Sequence, residues 1–241
     1  FGACFFLAGI RLLGRSVPAA LALLAAMPFS LAAVCSFFGA VCGYLAFWGA
    51  AGVFEPAAAG FLILAELCIF SDLLPRDRKW FPPASACALY ALIGTLSLLS
   101  GGAQGRELVF FCARLLLLAV CTAVFSAALH EKSRSARGLL ALFLLAGCSA
   151  VRLPGGVPLS AVLASGAVFL ALSGADALLT AAACGLALDL TCGAEPSMTA
   201  VFSLAALVCR TPFLSSRIPR AAAFLVCCLS AVLFSGGAGL A

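Results

Sequence analysis

The side chains that invite chemistry are few. Three ionisable residues, Glu66, Arg114 and Asp189, fall inside otherwise apolar stretches. A charge held in hydrocarbon is costly, so each is a candidate functional site or a paired structural group. Glu66 and Arg114 fall at similar depth on passes of the same direction. The expectation is that they pair with each other, or join Asp189 in an ion or proton path. Arg114 is also long enough to snorkel to the outer interface, and Asp189 lies near the end of its segment, where water reaches.

Thirteen cysteines accompany them: Cys4, Cys35, Cys42, Cys68, Cys87, Cys112, Cys121, Cys148, Cys184, Cys192, Cys209, Cys227 and Cys228. None forms C-x-x-C, and the chain has one His. A zinc or iron–sulfur centre needs several soft ligands converging at fixed spacing. These cysteines are spread one or two per helix and read as small apolar residues packing between helices. Their free use points to a reducing or anaerobic cell. The chain contains no G-x-x-x-x-G-K-[ST], H-E-x-x-H or G-x-S-x-G motif, which are the phosphate-loop, zinc-protease and serine-hydrolase signatures. A metal-dependent phosphatase needs several accessible carboxylates around paired cations. Four Asp, two of them (Asp72 and Asp77) in one basic loop, do not supply that set. No catalytic, cofactor-binding or metal-binding residue is assigned.

The elements that must hold these residues follow from composition. The 241 residues are 65% hydrophobic and 10% charged, and mean hydropathy is +1.22. Average soluble domains are about 45–50% apolar and about 25% charged. So few polar residues cannot cover a water-facing surface, which excludes a soluble globular enzyme, and abundant apolar surface excludes disorder. The apolar blocks are continuous rather than alternating, which favours helices over a membrane β-barrel. At about 20 residues per crossing, the chain accommodates about nine or ten helices with very short loops. The expected fold is an all-α polytopic bundle forming one integral membrane domain over 1–241. Its N-terminal helices, 1–71, are ambiguous in topology, and regular passes run over 82–235. The opening on Phe1 and the Gly-rich end suggest a piece of a longer protein, and no signal peptide is legible.

Charges divide the chain. Apolar residues 1–10 end at Arg11 and Arg15. The uncharged block 16–54 holds one long or two short passes, with Pro18 and Pro28 inside it, and Glu55–Pro56 is the next interruption. Passes follow at 57–71, 82–100, 108–129, 138–150, 157–174, 176–190, 196–209 and from 221 onward. Three basic loops separate them: Arg76, Arg78 and Lys79; Lys132, Arg134 and Arg137; Arg210, Arg217 and Arg220. Basic loops lie on the cytoplasmic side. Two passes lie between the first and second loops and four between the second and third. All three therefore fall on one side, with 101–107, 151–156 and 191–195 outside. Two passes between Arg15 and Asp72, with a broken or re-entrant stretch near Pro18–Pro28, keep Arg11 and Arg15 inside; three short passes would reverse the N-terminus. The net charge of +5 thus serves topology and anionic lipid rather than nucleic acid.

Small residues mark helix-packing faces. Gly39 and Gly43 form a G-x-x-x-G pair, followed by Gly49 and Gly52, and Gly185 follows Ala181, Ala182 and Ala183. Such faces let backbones approach closely. Trp48, Trp80, Tyr44 and Tyr90 are expected at membrane interfaces.

The run LGRSVPAALALLAAMPFSLAAV (13–34), then GAVCGYL (39–45), resembles the opening of the multi-spanning region of stage II sporulation protein E. That family places a Gly-Arg-small element before a Pro-Phe apolar pass and a Gly-x-x-x-Gly-Tyr helix. Later, ADALLTAAACGLALDLTCG (175–193), FSLAALVCRTPF (202–213) and RIPRAAAFL (217–225) are similar to the family's Ala/Gly-rich helix pair and basic loop. The resemblance covers most of the chain. It implies a membrane region attached to a central cytoplasmic part and a manganese-dependent serine phosphatase, neither of which this chain contains. Phosphatase action on an anti-anti-sigma factor releases the forespore sigma factor, and the family associates with the division ring at the polar septum. The resemblance therefore implies that this chain, itself no enzyme and without a cofactor, anchors, oligomerises and localises a phosphatase. The implied location is the bacterial plasma membrane, and the implied partners are lipid, other copies of the chain and division-septum proteins. Two rival readings remain: a small-solute permease built around Glu66, Arg114 and Asp189, and a membrane scaffold for division or cell-wall machinery. Two broken helices in an inverted repeat would favour the permease; the sequence shows no convincing repeat.

Overall fold

The computed structural model describes residues 1–12, 15–70, 80–101, 105–131, 133–154, 157–172, 176–192, 197–209 and 219–228. Asp72, Arg76, Asp77, Arg78, Lys79, Lys132, Arg210 and Arg217 lie outside the described residues. Continuous runs of Ala, Leu and Phe satisfy the backbone within each segment, and the described residues are mainly helical. Ten α-helices occur among them: α1 Gly2–Leu7, α2 Ala19–Ala26, α3 Leu31–Ile69, α4 Phe81–Gly101, α5 Gly105–Leu129, α6 Arg134–Gly147, α7 Leu159–Ala171, α8 Ala177–Cys192, α9 Met198–Cys209 and α10 Pro219–Cys228. The exceptions are small. Arg11–Leu12 and Arg15–Ser16 form a two-residue antiparallel ladder, and Cys148–Ala150 is a 3₁₀ turn. The chain divides into two compact units, Phe1–Ala150 and Val151–Ala241.

Turn chemistry sets several boundaries. Pro18 is the N-cap residue of α2, and Pro28 lies just beyond its end, positions where a missing N–H costs no helical bond. Ser30 and Ser133 accept hydrogen bonds from Ala33 N and Ala136 N and cap α3 and α6. All eight residues of α2 are buried, so this short apolar helix fills the stretch between the two prolines as a core element of the first unit. Its C-terminus is tied down by His130, whose Nε2 lies 3.0 Å from the Ala26 carbonyl.

Helix α3 breaks at Gly49, not at Glu55–Pro56, where the sequence placed the interruption. Gly49 has φ 70° and ψ −175°, a region open essentially to glycine. The chain reverses there. A Cβ built on Gly60 would lie 3.2 Å from the Phe37 ring, although these residues stand about 35 Å apart along an unbroken helix. The limbs 31–48 and 50–69 therefore fold back on each other. Each is about 27–30 Å long, close to the hydrocarbon thickness of a bilayer. Pro56 is carried inside the second limb. It offers no N–H, so the Gly52 carbonyl loses its usual i+4 donor.

Helices α3, α4 and α5 are long and apolar enough to cross a membrane. They are apolar nearly all round, and large side chains face outward: Leu31 and Leu99 are each 79% exposed. Such faces are stable against lipid and unfavourable against water. Helices α7 to α10 are shorter.

Glycines set the closest helix approaches. In the first unit a Cβ on Gly39 would collide with the Phe1 carbonyl, and one on Gly43 with Phe5 and Ala8, so these residues seat the α1 backbone on α3. Gly147 takes the Phe6 carbonyl in the same way, a contact the sequence did not flag. In the second unit Gly185 seats the backbone of Met198 and Thr199 at the start of α9. Gly49 and Gly52 do something else. Gly49 has nothing within 4 Å and supplies the reversal, and a Cβ on Gly52 would meet Trp48 across it.

Candidate functional site

Arg114 finds its carboxylate in Glu55, not Glu66. The Nη1 of Arg114 donates to Glu55 Oε1 at 3.4 Å, and its Nη2 donates to Ser16 Oγ at 3.3 Å. Glu66 stands three turns farther along the same limb, about 16 Å away, so one guanidinium cannot reach both. It lines a separate, mainly apolar cavity of about 280 Å³ with Phe70, Phe81 and Ser85. The Gly49 reversal puts Glu55 near the start of its limb, and α5 packs along α2 and α4, which brings Arg114 level with it.

Two tyrosines complete the cluster. Tyr90 of α4 donates to Glu55 Oε1 at 2.6 Å, and Tyr44 donates to the Val17 carbonyl at 3.1 Å. Both are buried inside the unit, where each hydroxyl finds a fixed acceptor. Trp48 is also drawn inward: its Nε1 donates to the Ala8 carbonyl at 2.9 Å, and the Arg11 guanidinium sits 5.2 Å from its ring. Trp80 is exposed.

These residues wall a cavity of about 340 Å³, lined by Arg15, Ser16, Pro18, Tyr44, Trp48, Gly52, Glu55, Tyr90 and Arg114 among others. A neighbouring cavity of about 270 Å³ shares Arg15, Glu55 and Arg114 and adds Glu107, Phe110 and Phe111. Arg15 and Arg106 both lie against the Phe110 ring, at 5.3 and 5.6 Å. The Glu55 and Arg114 side chains are only 25% and 21% exposed, and the Arg114 Nε is buried without a hydrogen-bond partner. The arrangement can hold a small polar molecule between guanidinium, carboxylate and aromatic groups.

Asp189 belongs to the second unit and acts as a cap. Its carboxylate accepts from Met198 N at 2.6 Å and Thr199 N at 3.0 Å, and from the hydroxyls of Ser197 at 2.7 Å and Thr199 at 2.6 Å. The Met198 and Thr199 N–H groups are the first backbone donors of α9, which no residue within that helix can satisfy. An acid borrowed from α8 satisfies them and complements the helix dipole.

Of the expected basic-loop residues, Arg134 and Arg137 are exposed at the start of α6, and Arg220 lies in α10. Cys4, Cys121, Cys148, Cys184 and Cys209 are buried, whereas Cys35, Cys42, Cys68 and Cys112 face outward. Among the described residues no group of three or more His, Cys, Asp or Glu is arranged to hold a metal ion. Sequence reasoning missed Glu55 because the adjacent Pro56 made it look like a loop residue. Its one signal was being an acid flanked by long apolar runs on both sides.

No protein-family model, curated protein or solved structure matches this chain.

Proposed function

We propose that this chain is the membrane-embedded region of a sporulation serine phosphatase of the stage II sporulation protein E kind. In this reading it crosses the plasma membrane as a helical bundle. It anchors a cytoplasmic catalytic part, brings copies of itself together and places them at the polar septum. One observation carries the reading: several residues behind the resemblance occupy close-packed positions of the fold. Gly39 and Gly43 seat α1, Tyr44 is buried with its hydroxyl on Val17, and Gly185 and Asp189 join α8 to α9. The test is a chimera in a sporulating bacterium, in which this chain replaces the membrane region of such a phosphatase. Septal localisation and activation of the forespore sigma factor are expected. A chimera that is membrane-inserted but uniformly distributed, with no sigma activation, overturns the reading.

The permease reading draws on the Glu55–Arg114–Tyr90 cavity. A proton- or sodium-driven solute flux in liposomes, lost in Glu55→Gln, would make it the better account.

A further inference from the structure

Two short buried helices meet at the polar cavity of the first unit, joined there by backbone that is not helical. Cys4 and Leu7 of α1 and all eight residues of α2 are buried, and between the helices lies the ladder of Arg11–Leu12 with Arg15–Ser16. Helix α1 runs beside the first limb of α3 in the same direction. Phe1 meets Gly39, Phe5 meets Gly43, and the Ala8 carbonyl accepts from Trp48, next to the Gly49 reversal. Helix α2 then leads away from that end. It starts beside Tyr44, which donates to Val17, and finishes at His130, at the far end of α5. Three helical segments, α2 and the two limbs of α3, therefore lie between Arg15 and residue 70. This matches the alternative of three short segments, in which Arg11 and Arg15 fall at the end of the unit opposite Arg134.

The same end carries the start of α5. Helices α4 and α5 are antiparallel, with the Tyr90 and Phe111 rings stacked and Cys87 Sγ donating to the Leu115 carbonyl at 3.4 Å. Polar surface runs inward from that end. Glu107 and Phe110 near the start of α5 and Ser97 near the end of α4 line the outer cavity with Arg15, which also lines the inner one. Glu55 stands six residues past Gly49 and Arg114 nine past Gly105, about 9 and 14 Å along their helices. At that depth Arg15 is exposed, Ser16 is half-buried, and the Glu55 and Arg114 side chains keep a fifth to a quarter of their surface open. Charge open to hydrocarbon is costly. Irregular backbone inside a membrane is stable only where protein buries it or water fills the space beside it. An ion pair and a non-helical turn, from separate elements, thus require water at one place. Beyond them Leu21 and Leu24 of α2 and Leu118 and Phe125 of α5 are fully buried in one apolar cluster, which closes the way to the other end.

We propose that the two cavities form one water-filled inlet, entered from the face opposite Arg134 and ending blind at Glu55, Arg114 and Tyr90. Two carboxylates, Glu55 and Glu107, stand against two guanidiniums, Arg15 and Arg114, along its walls. A ring of one charge sign selects ions of the other sign; this balanced set instead takes water and small hydrophilic solutes. The inlet puts the Glu55 carboxylate in contact with the solution on one side of the membrane only. It rests on the membrane crossing in the proposed function, and not on the identity of what the chain anchors.

Thiol accessibility tests the inlet in the full chain with all thirteen native cysteines replaced. A membrane-impermeant methanethiosulfonate is applied to intact bacterial cells and to inside-out vesicles. Arg106→Cys and Arg134→Cys, at the two ends of the unit, should label from opposite faces. Ser16→Cys and Leu98→Cys place thiols on the inlet walls, and Leu92→Cys places one on the outward face of α4 near the level of Tyr90. Both inlet thiols are expected to react from the Arg106 face alone, about a hundredfold faster than Leu92→Cys, because the reacting thiolate is penalised against hydrocarbon. Leu98→Cys carries the test where Ser16→Cys does not elute as a folded, monodisperse species in detergent. Labelling of Arg106→Cys and Arg134→Cys from the same face overturns the membrane crossing and the inlet with it. With those two on opposite faces, inlet thiols that react no faster than Leu92→Cys, or that react from the Arg134 face, overturn the inlet alone.

Discussion

Removing Arg114 tests whether the Glu55 cluster holds the first unit together. At 3.4 Å, two unit charges attract by about 5 kcal/mol in a medium of effective dielectric about 20. Desolvation of both groups opposes that attraction, and each side chain keeps about a fifth to a quarter of its surface exposed. The net coupling works out at about 1.5–3 kcal/mol, below the 3–5 kcal/mol typical of losing one partner of a fully buried pair. Arg114→Leu should therefore destabilise the chain by about 2–3 kcal/mol, leaving Glu55 with Tyr90 alone. Glu55→Leu in the same background should recover most of that, short of about 1 kcal/mol because the Tyr90 hydroxyl then lacks its acceptor. Glu66→Leu with Arg114→Leu should be additive, since the two sites lie too far apart to couple. The assay is equilibrium unfolding in mixed micelles, with a denaturing detergent titrated against a mild one. Coupling of Arg114 to Glu66 rather than to Glu55, or strict additivity in both cycles, refutes the assigned pairing.

Three further outcomes follow. Gly49→Ala should lower stability by about 1–3 kcal/mol through backbone strain alone, since a Cβ there meets no atom within 4 Å; Gly166→Ala, also in open space but at an ordinary φ, should be neutral or stabilising in the same thermal melt, and equal effects would remove the hinge. Asp189→Ala should cost about 2–3 kcal/mol by stripping four donors of their acceptor, with Asp189→Asn intermediate; hydrogen exchange should show the first turn of α9 deprotected, and unchanged protection there would refute the cap. In a cysteine-free background, Arg134→Cys and Arg217→Cys should label from the same, cytoplasmic face, and labelling from opposite faces would overturn the topology.

Composition and hydropathy alone determined that the chain is helical and apolar, and they located most segments to within a few residues: 82–100 against α4, 108–129 against α5, 196–209 against α9. Helix formation in such runs is local, because each backbone group is satisfied within its own segment. The Gly-x-x-x-Gly face was legible for the same reason, since its period is that of one helix. What pairs with what was not. Glu55 and Glu66 lie on one limb and look alike in sequence. Only the reversal at Gly49 and the packing of α5 along α2 and α4 choose between them. Residue type alone did not give Tyr44, Tyr90 and Trp48 their partners, which are the Val17 carbonyl, the Glu55 carboxylate and the Ala8 carbonyl. Asp189 looked like an intramembrane charge until α9 placed its unsatisfied N–H groups against it. Each of these outcomes depends on groups from different elements meeting at about 3 Å, a condition that the pattern of one helix does not encode and that only the folded packing decides.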